Sequence, residues 1–287
     1  MRTWDTLAVV GPGLIGGSIG LAALRQGVVG EVVGIGRSQT SLQTAISRGA
    51  ITAGTLDLAA GVRDADLIVV CTPVDEIPYY VERVAEACKP GALITDAGST
   101  KADLVARIER ARSGSASWVD SVHFVGSHPL AGNDKRGSDY ARADLFIDRV
   151  VVVTPTAQSR AEDVRDLRNF WTALGASTVE MTPAEHDRAV AVTSHLPHLI
   201  ASAIAGSTPA EYVTLTAGGW QDTTRIAAGD PLLWRQIFFA NRENLMAALS
   251  HFDQTLADLR GAIEAGDAAA LERLLTEGKR IRDAVGS

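Results

Sequence analysis

Glycine spacing near the start of the chain supplies the first chemistry. Gly11-Pro12-Gly13-Leu14-Ile15-Gly16 follows the apolar run Leu7-Ala8-Val9-Val10 and opens a helical pattern. In that context Gly11 permits a tight turn, Gly13 lets the backbone approach a pyrophosphate, and Gly16 allows close helix packing. The helix N-terminus adds amide donors and a positive dipole. A glycine-rich turn without a ligand is the competing account. The following Gly17-Ser18-Ile19-Gly20 and a second strand at the right distance favour nucleotide binding. At the end of that second strand an NAD site usually has an acidic side chain for the ribose 2′-hydroxyl, but this chain has Gly36-Arg37-Ser38. Without the carboxylate a 2′-phosphate is not repelled, and Arg37 can clamp it in a charge-assisted pair. The expectation is a nicotinamide cofactor, NADP favoured over NAD. Its expected contacts are Gly11, Gly13, Leu14, Ile15, Gly16, Arg37, Ser38, Thr72 and Pro73.

Three later segments place polar residues where a simple core would not. They are Asp96-Ala97-Gly98-Ser99-Thr100-Lys101, Gly126-Ser127-His128-Pro129-Leu130-Ala131-Gly132, and Thr193-Ser194-His195-Leu196-Pro197-His198, with Asp222-Thr223-Thr224-Arg225 beyond. Each has a bland account: His128 as a loop histidine before a proline turn, Ser99 as a helix cap, Asp222 and Arg225 as an exposed helix pair. His195 and His198, with His186, have a spacing a metal could use. No carboxylate or cysteine completes the shell, so no metal is expected.

The elements that must position these groups change character along the chain. Up to residue 182, short apolar runs (Leu7–Val10, Val32–Ile35, Leu67–Cys71, Ala92–Thr95, Val150–Val153) alternate with helical patterns, and Ser177–Met181 reads as a last edge strand. That alternation predicts an α/β Rossmann-type parallel sheet covered on both faces. Ser159-Arg160-Ala161-Glu162 reads as a capping box opening a helix to about Leu174. Thr182-Pro183-Ala184-Glu185 is a second box, with Pro at the first helical position. From 183 to 287 the pattern is all-α: a long helix from Asp230-Pro231 to Ala265, a stop at Gly266, and a cap at Asp267. Its apolar residues, among them Leu232, Phe239, Met246 and Leu256, exceed what a thin layer can bury. A homodimer through this domain is therefore expected.

Composition narrows the class. The chain has 287 residues, 46% hydrophobic and 21% charged, with a net charge of −7. That is ordinary for a globular enzyme of about two domains, and it argues against nucleic acid or an anionic membrane as the main partner. Cys71 and Cys88 make no disulfide framework. No signal-peptide layout is visible and no apolar stretch is read as approaching membrane-spanning length, so a cytoplasmic protein is expected.

Taken in order, these motifs resemble the prephenate/arogenate dehydrogenase family of tyrosine biosynthesis, and the resemblance includes Asp230-Pro231-Leu232-Leu233-Trp234-Arg235 and Asn241-Arg242. It implies oxidative decarboxylation of a cyclohexadiene acid, with hydride passing to NAD(P)+. His128 matches the family's catalytic histidine, and Ser99 the serine that hydrogen-bonds it and the substrate hydroxyl. Arg225 matches the arginine that grips the ring carboxylate, held by Asp222 and Asp134. His198, His195 and Asn133 fall on the substrate side, with His186 in support. Some members of that family append a regulatory domain or carry a fused mutase segment; neither is expected in this chain. Arogenate, with an amine in place of the side-chain keto group, is the nearest rival substrate. Thr193–Ala203 offers that amine no carboxylate, which favours prephenate. A related hydroxyacid or imine reductase would need a donor such as lysine in the helical domain, and none lies between Thr182 and Ala265. A dinucleotide-sensing protein without catalysis is the remaining alternative.

Overall fold

Both faces of the first strand are covered from Leu7 to Val10, which is why those four residues are all apolar. The computed structural model describes residues 4–114, 122–132 and 135–285, so Asn133 and Asp134 lie outside the described residues. In chain order the first unit contains β1 (Trp4–Val10), α1 (Leu14–Arg25), β2 (Val29–Ile35), α2 (Gln39–Ser47), β3 (Ala53–Thr55), α3 (Leu58–Val62), β4 (Leu67–Val70), α4 (Ile77–Ala87), β5 (Leu93–Asp96), α5 (Ala102–Gly114) and β6 (His123–Phe124). The strands form one parallel sheet in the order β3-β2-β1-β4-β5-β6. Val9, Leu42 and Trp171 belong to the core on one face, and Ile68, Val81 and Ile94 to that on the other. Each such fully buried side chain contributes about 1.5–3 kcal/mol. The expected α/β class is therefore realised.

A second, three-stranded sheet follows: β7 (Gly126–Pro129), β8 (Val150–Thr154) and β9 (Ser177–Glu180), with α6 (Ala161–Ala173) between the last two. The sequence reading missed β3, β6 and β7 and placed Val150–Val153 among the parallel strands. In fact β7 runs antiparallel to β8, with His128 opposite Val152, and β9 runs parallel to β8. The polar tetrad Gly-Ser-His-Pro becomes a strand through this backbone ladder rather than through β-propensity. Ser159 does not cap α6 either. Arg160 occupies the N-cap without a side-chain bond, and the Ser159 hydroxyl accepts from the Thr156 amide instead.

No strand follows β9 among the described residues. The helical unit comprises α7 (Pro183–Val190), a π turn (Ala191–His195), α8 (Leu196–Ser207), α9 (Gly218–Thr224), α10 (Pro231–Ala240), α11 (Arg242–Glu264) and α12 (Ala268–Asp283). The capping box at Thr182 forms with both of its bonds, and Asp267 caps α12. The single long helix expected from Asp230 is two helices, broken at Asn241 (φ −117, ψ 33). Another expectation needs correction: α7, the π turn and α8 form one 25-residue helical run, Pro183–Ser207, containing a window of mean hydropathy 1.3, which is long and apolar enough to span a bilayer. Buried His186, Asp187, His195 and His198 interrupt that run, and bonds described below tie it to the first unit.

Candidate active site

The loop after β1 leaves a cradle for an anion. Gly11 adopts φ +87, and a Cβ there would lie 3.0 Å from the Cys71 carbonyl oxygen. A Cβ on Gly16 would lie 2.4 Å from the Gly11 oxygen, so α1 can start this close to the strand only with glycine. At Gly13 a Cβ would meet nothing within 4 Å, so the space in front of the helix is open. No side chain caps this end of α1, which leaves its first amides, at Leu14 and Ile15, to face that space. Beside it the buried Thr72 hydroxyl has no hydrogen-bond partner. Glycine cradle, uncapped amides and orphaned hydroxyl together fit a dinucleotide pyrophosphate. Arg37 is exposed after β2, and Ser38 caps α2 through its hydroxyl. Cys71 lies just past β4, where burial and then the Asp96 charge push its thiol pKa up, away from reactivity.

Strand β7 presents His128 to the helical unit. Its Nδ1 lies 2.8 Å from Nε2 of His186, whose Nδ1 lies 2.7 Å from Oδ1 of Asp187. Asp187 also accepts the backbone N–H groups of Lys101 and Ala102, at 2.7 and 2.8 Å, and so caps the start of α5. A carboxylate only accepts, so His186 Nδ1 carries a proton. With neutral rings, His186 Nε2 then accepts from His128 Nδ1–H, and the free lone pair of His128 is on Nε2. Burial lowers the His128 pKa well below the usual histidine value, with smaller contributions from His186, Lys101 and His195. The ring is a neutral base held in one tautomer.

The expected Ser99–His128 bond is not formed. Ser99 lies half-buried between β5 and α5, and the ring nitrogen it was expected to share is either taken by His186 or left as the lone pair. The pairing of Arg225 with Asp222 is not formed either. Both are exposed where α9 gives way to a 3-10 turn, and an ion pair in water gains little there. Asp134, the other expected partner, and Asn133 lie outside the described residues.

Helical side chains complete the site wall. At the break between α10 and α11, Asn241 Nδ2 donates to the Asp187 carbonyl at 2.7 Å and faces His195 Nδ1 at 3.2 Å. His195 Nδ1 thus accepts, leaving its Nε2–H as a donor. His198 stacks on Trp234 (3.6 Å between centroids, 15° between planes), and its buried Nδ1 has no partner. A Cβ on Gly229 would lie 2.9 Å from the His198 ring and 2.5 Å from Trp234 Nε1, so only glycine allows that stack. Desolvation lowers both His195 and His198 to about 4. Two further contacts join the units, Gln236 Nε2 to Asp75 at 2.8 Å and Arg136 to Asp230.

Residues 19–180 match the family model described as "Prephenate dehydrogenase, nucleotide-binding domain", and residues 182–277 match "Prephenate dehydrogenase, dimerization domain". The chain belongs to the prephenate dehydrogenase family. That makes it an oxidoreductase with a pyridine nucleotide cofactor. It is 31% identical over 291 residues to the prephenate dehydrogenase of Bacillus subtilis (strain 168), covering 97% of this chain and 76% of that one. It is 30% identical over 289 residues to the cyclohexadienyl dehydrogenase of Zymomonas mobilis, covering 98% and 96%. Its fold matches a crystal structure of prephenate dehydrogenase from A. aeolicus in complex with hydroxyphenyl propionate and NAD+, at TM-score 0.88 and 29% identity, over 98% of both chains.

Within this family frame, sequence reasoning underweighted His186, gave Asp187 no role, and quoted Lys101 and Asn241 within motifs without assigning either a function. The adjacent His186-Asp187 pair, right after a capping box, was the available signal. Nothing in the apolar periodicity marked Asn241.

Proposed function

We propose that this chain oxidises prephenate to 4-hydroxyphenylpyruvate with loss of carbon dioxide, using His128 as the base. The observation that carries the reading is the chain of bonds from His128 through His186 to Asp187, which protonates His128 on Nδ1 and leaves its Nε2 as the unprotonated nitrogen. When bound, the dinucleotide supplies the hydride acceptor. His128 Nε2 takes the ring-hydroxyl proton as hydride leaves the same carbon. The bond to the ring carboxylate then breaks, its electron pair makes the ring aromatic, and the proton returns to the phenolic oxygen. Ser99, on the loop after β5, hydrogen-bonds the hydroxyl. Arg225 grips the ring carboxylate bidentately. His195 and His198 contact the side chain, Asn133 is a further substrate-binding residue, and Asp134 and Asp222 support Arg225.

Prephenate is favoured over arogenate because Thr193–Ala203 provides no carboxylate for an amine. A dual substrate range is the second reading, because a relative this similar is named cyclohexadienyl dehydrogenase. NADP is favoured over NAD because Gly36-Arg37 replaces the acidic residue, although the A. aeolicus relative was crystallised with NAD+. The two domains meet at residues 182 and 183. Exposed Phe239 (72%), Leu232 (60%) and Met246 (52%) support a homodimer through the helical domain. The test is incubation with prephenate or arogenate and each cofactor, reading absorbance of reduced nicotinamide. Turnover of prephenate, faster with limiting NADP+ than NAD+, supports the reading. Tight nucleotide binding with no turnover of either acid contradicts it.

A further inference from the structure

A fully buried ion pair lies directly behind the strand that carries His128, and the reaction described above leaves it without a role. Lys101 and Asp96 are both 0% exposed, with Nζ 2.5 Å from Oδ2. Burying two opposite charges costs several kcal/mol of desolvation per ion and is seldom a net source of stability, so the pair calls for another explanation. Its connections supply one. Asp96 accepts the Gly98 amide at Oδ2 and the Ser127 amide at Oδ1, 2.8 and 3.3 Å away, and its carbonyl accepts the Ser127 hydroxyl at 2.7 Å. Ser127 is the residue before His128. The Lys101 stem passes over β7, where a Cβ on Gly126 would lie 3.4 Å from its Cδ, and Nζ also donates to the Thr100 carbonyl. From the other direction, the backbone N–H of Lys101 donates to Asp187, which holds His186, which holds His128.

The bonds therefore close a ring. It runs from His128 to His186, Asp187, the Lys101 backbone, the Lys101 ammonium, Asp96, the Ser127 amide and back to His128. We propose that Lys101 and Asp96 are positioning residues for the base: the pair locks β7 against the start of α5 and fixes an ammonium close to the His128 ring. This rests on the reading of His128 as the base. Charged and titratable groups reach the ring from three elements. Lys101, with Asp96 behind it, comes from the turn joining β5 to α5. His186, backed by Asp187, comes from α7. His195 comes from the π turn. Of these, the ammonium is the permanent positive charge, and it opposes a second positive charge on the imidazole.

The sign of the effect separates this role from simple packing. Removing the ammonium in Lys101→Met leaves the Asp96 carboxylate uncompensated, which favours imidazolium, so the His128 pKa rises. Asp96→Asn leaves the ammonium alone and cannot raise it. The experiment is an NMR titration of the His128 ring, identified by its loss in His128→Asn, in the full-length parent, both single variants and the Asp96→Asn/Lys101→Met double variant. The acid limb of turnover against pH is read on the same proteins, and thermal unfolding checks that each is folded. We expect the His128 pKa to rise by about one pH unit in Lys101→Met, not to rise in Asp96→Asn, and to lie between the two in the double variant. If Lys101→Met does not fold, the double variant must still titrate above Asp96→Asn. Equal pKa values in the folded variants, or a rise in Asp96→Asn, overturn the proposal. A ring titration in the expected order with an unmoved acid limb of turnover keeps the charge device and instead removes His128 as the base.

Discussion

The cofactor cradle and the hydrogen-bond relay behind His128 are built in opposite ways. At the cradle the backbone does the work: glycines at 11 and 16 remove side chains so that a strand, a turn and a helix N-terminus can converge, and the ligand-facing groups are amides. At the relay, side chains do it. His128 on β7, His186 and Asp187 on α7, and Asn241 between α10 and α11 come from distant parts of the chain, and each is fixed by the next. A backbone site tolerates changes that preserve space, whereas a side-chain relay depends on every donor and acceptor in turn.

The largest expected effect falls on the relay. His128→Asn should lower kcat by roughly 10²–10⁴-fold, the usual contribution of a positioned base, with little change in substrate binding measured directly. It should also abolish the acid limb of the profile, because that limb reports imidazole protonation. Near-normal turnover with the limb intact would remove the distinction between the two regions. Arg225→Gln comes next and acts on binding. Losing a charge-assisted pair to the ring carboxylate should cost about 1.5–3 kcal/mol, about 10- to 150-fold in substrate dissociation constant, while the pH profile keeps its shape.

The cradle is sharpened by two alanines that should part company. Gly16→Ala forces a Cβ against backbone and should destabilise the fold by about 1–3 kcal/mol in urea unfolding. Gly13→Ala meets no protein atom, so it should leave the unfolding midpoint nearly unchanged and raise the KM for the cofactor. Equal destabilisation by both would mean that the open space is not a ligand cradle. The smallest effect concerns acid stability. Folding depresses the His128, His195 and His198 pKa values, the last two to about 4, so below the ordinary value the unfolded chain binds protons the native protein refuses. Stability should thus fall as pH drops through that window, by about 1.4 kcal/mol per pH unit for each proton withheld. Urea midpoints in His198→Gln should decline less steeply than in the parent over that window. Identical slopes would contradict a buried neutral ring at that position.

How much of this was legible follows from the same contrast. The cradle could be read because its glycines, strand and helix are consecutive in sequence, and each residue's conformational need is its own. The α/β layout could be read because parallel strands are continuously apolar. β7 could not, because Gly-Ser-His-Pro has no strand signature and pairs only because β8 lies beside it. The break at Asn241 was hidden because apolar periodicity continues across it, and the tertiary bond that Asn241 makes there, to Asp187, has no local signature. Ser99 and Asp222 came from the family resemblance, which implied bonds to His128 and Arg225. Neither bond is formed in this structure: His128 Nδ1 is engaged by His186, and Asp222 and Arg225 are both exposed to solvent.

The central claim is that His186 and Asp187 hold His128 as a neutral imidazole protonated on Nδ1, with Nε2 free to take the substrate proton. Nitrogen-15 NMR of the imidazole rings in the intact protein near neutral pH tests it most directly. The account predicts a protonated Nδ1 and an unprotonated Nε2 for both His128 and His186, with the His128 pattern lost or averaged in Asp187→Asn. A His128 ring carrying its proton on Nε2, or unchanged when Asp187 is replaced, would contradict it.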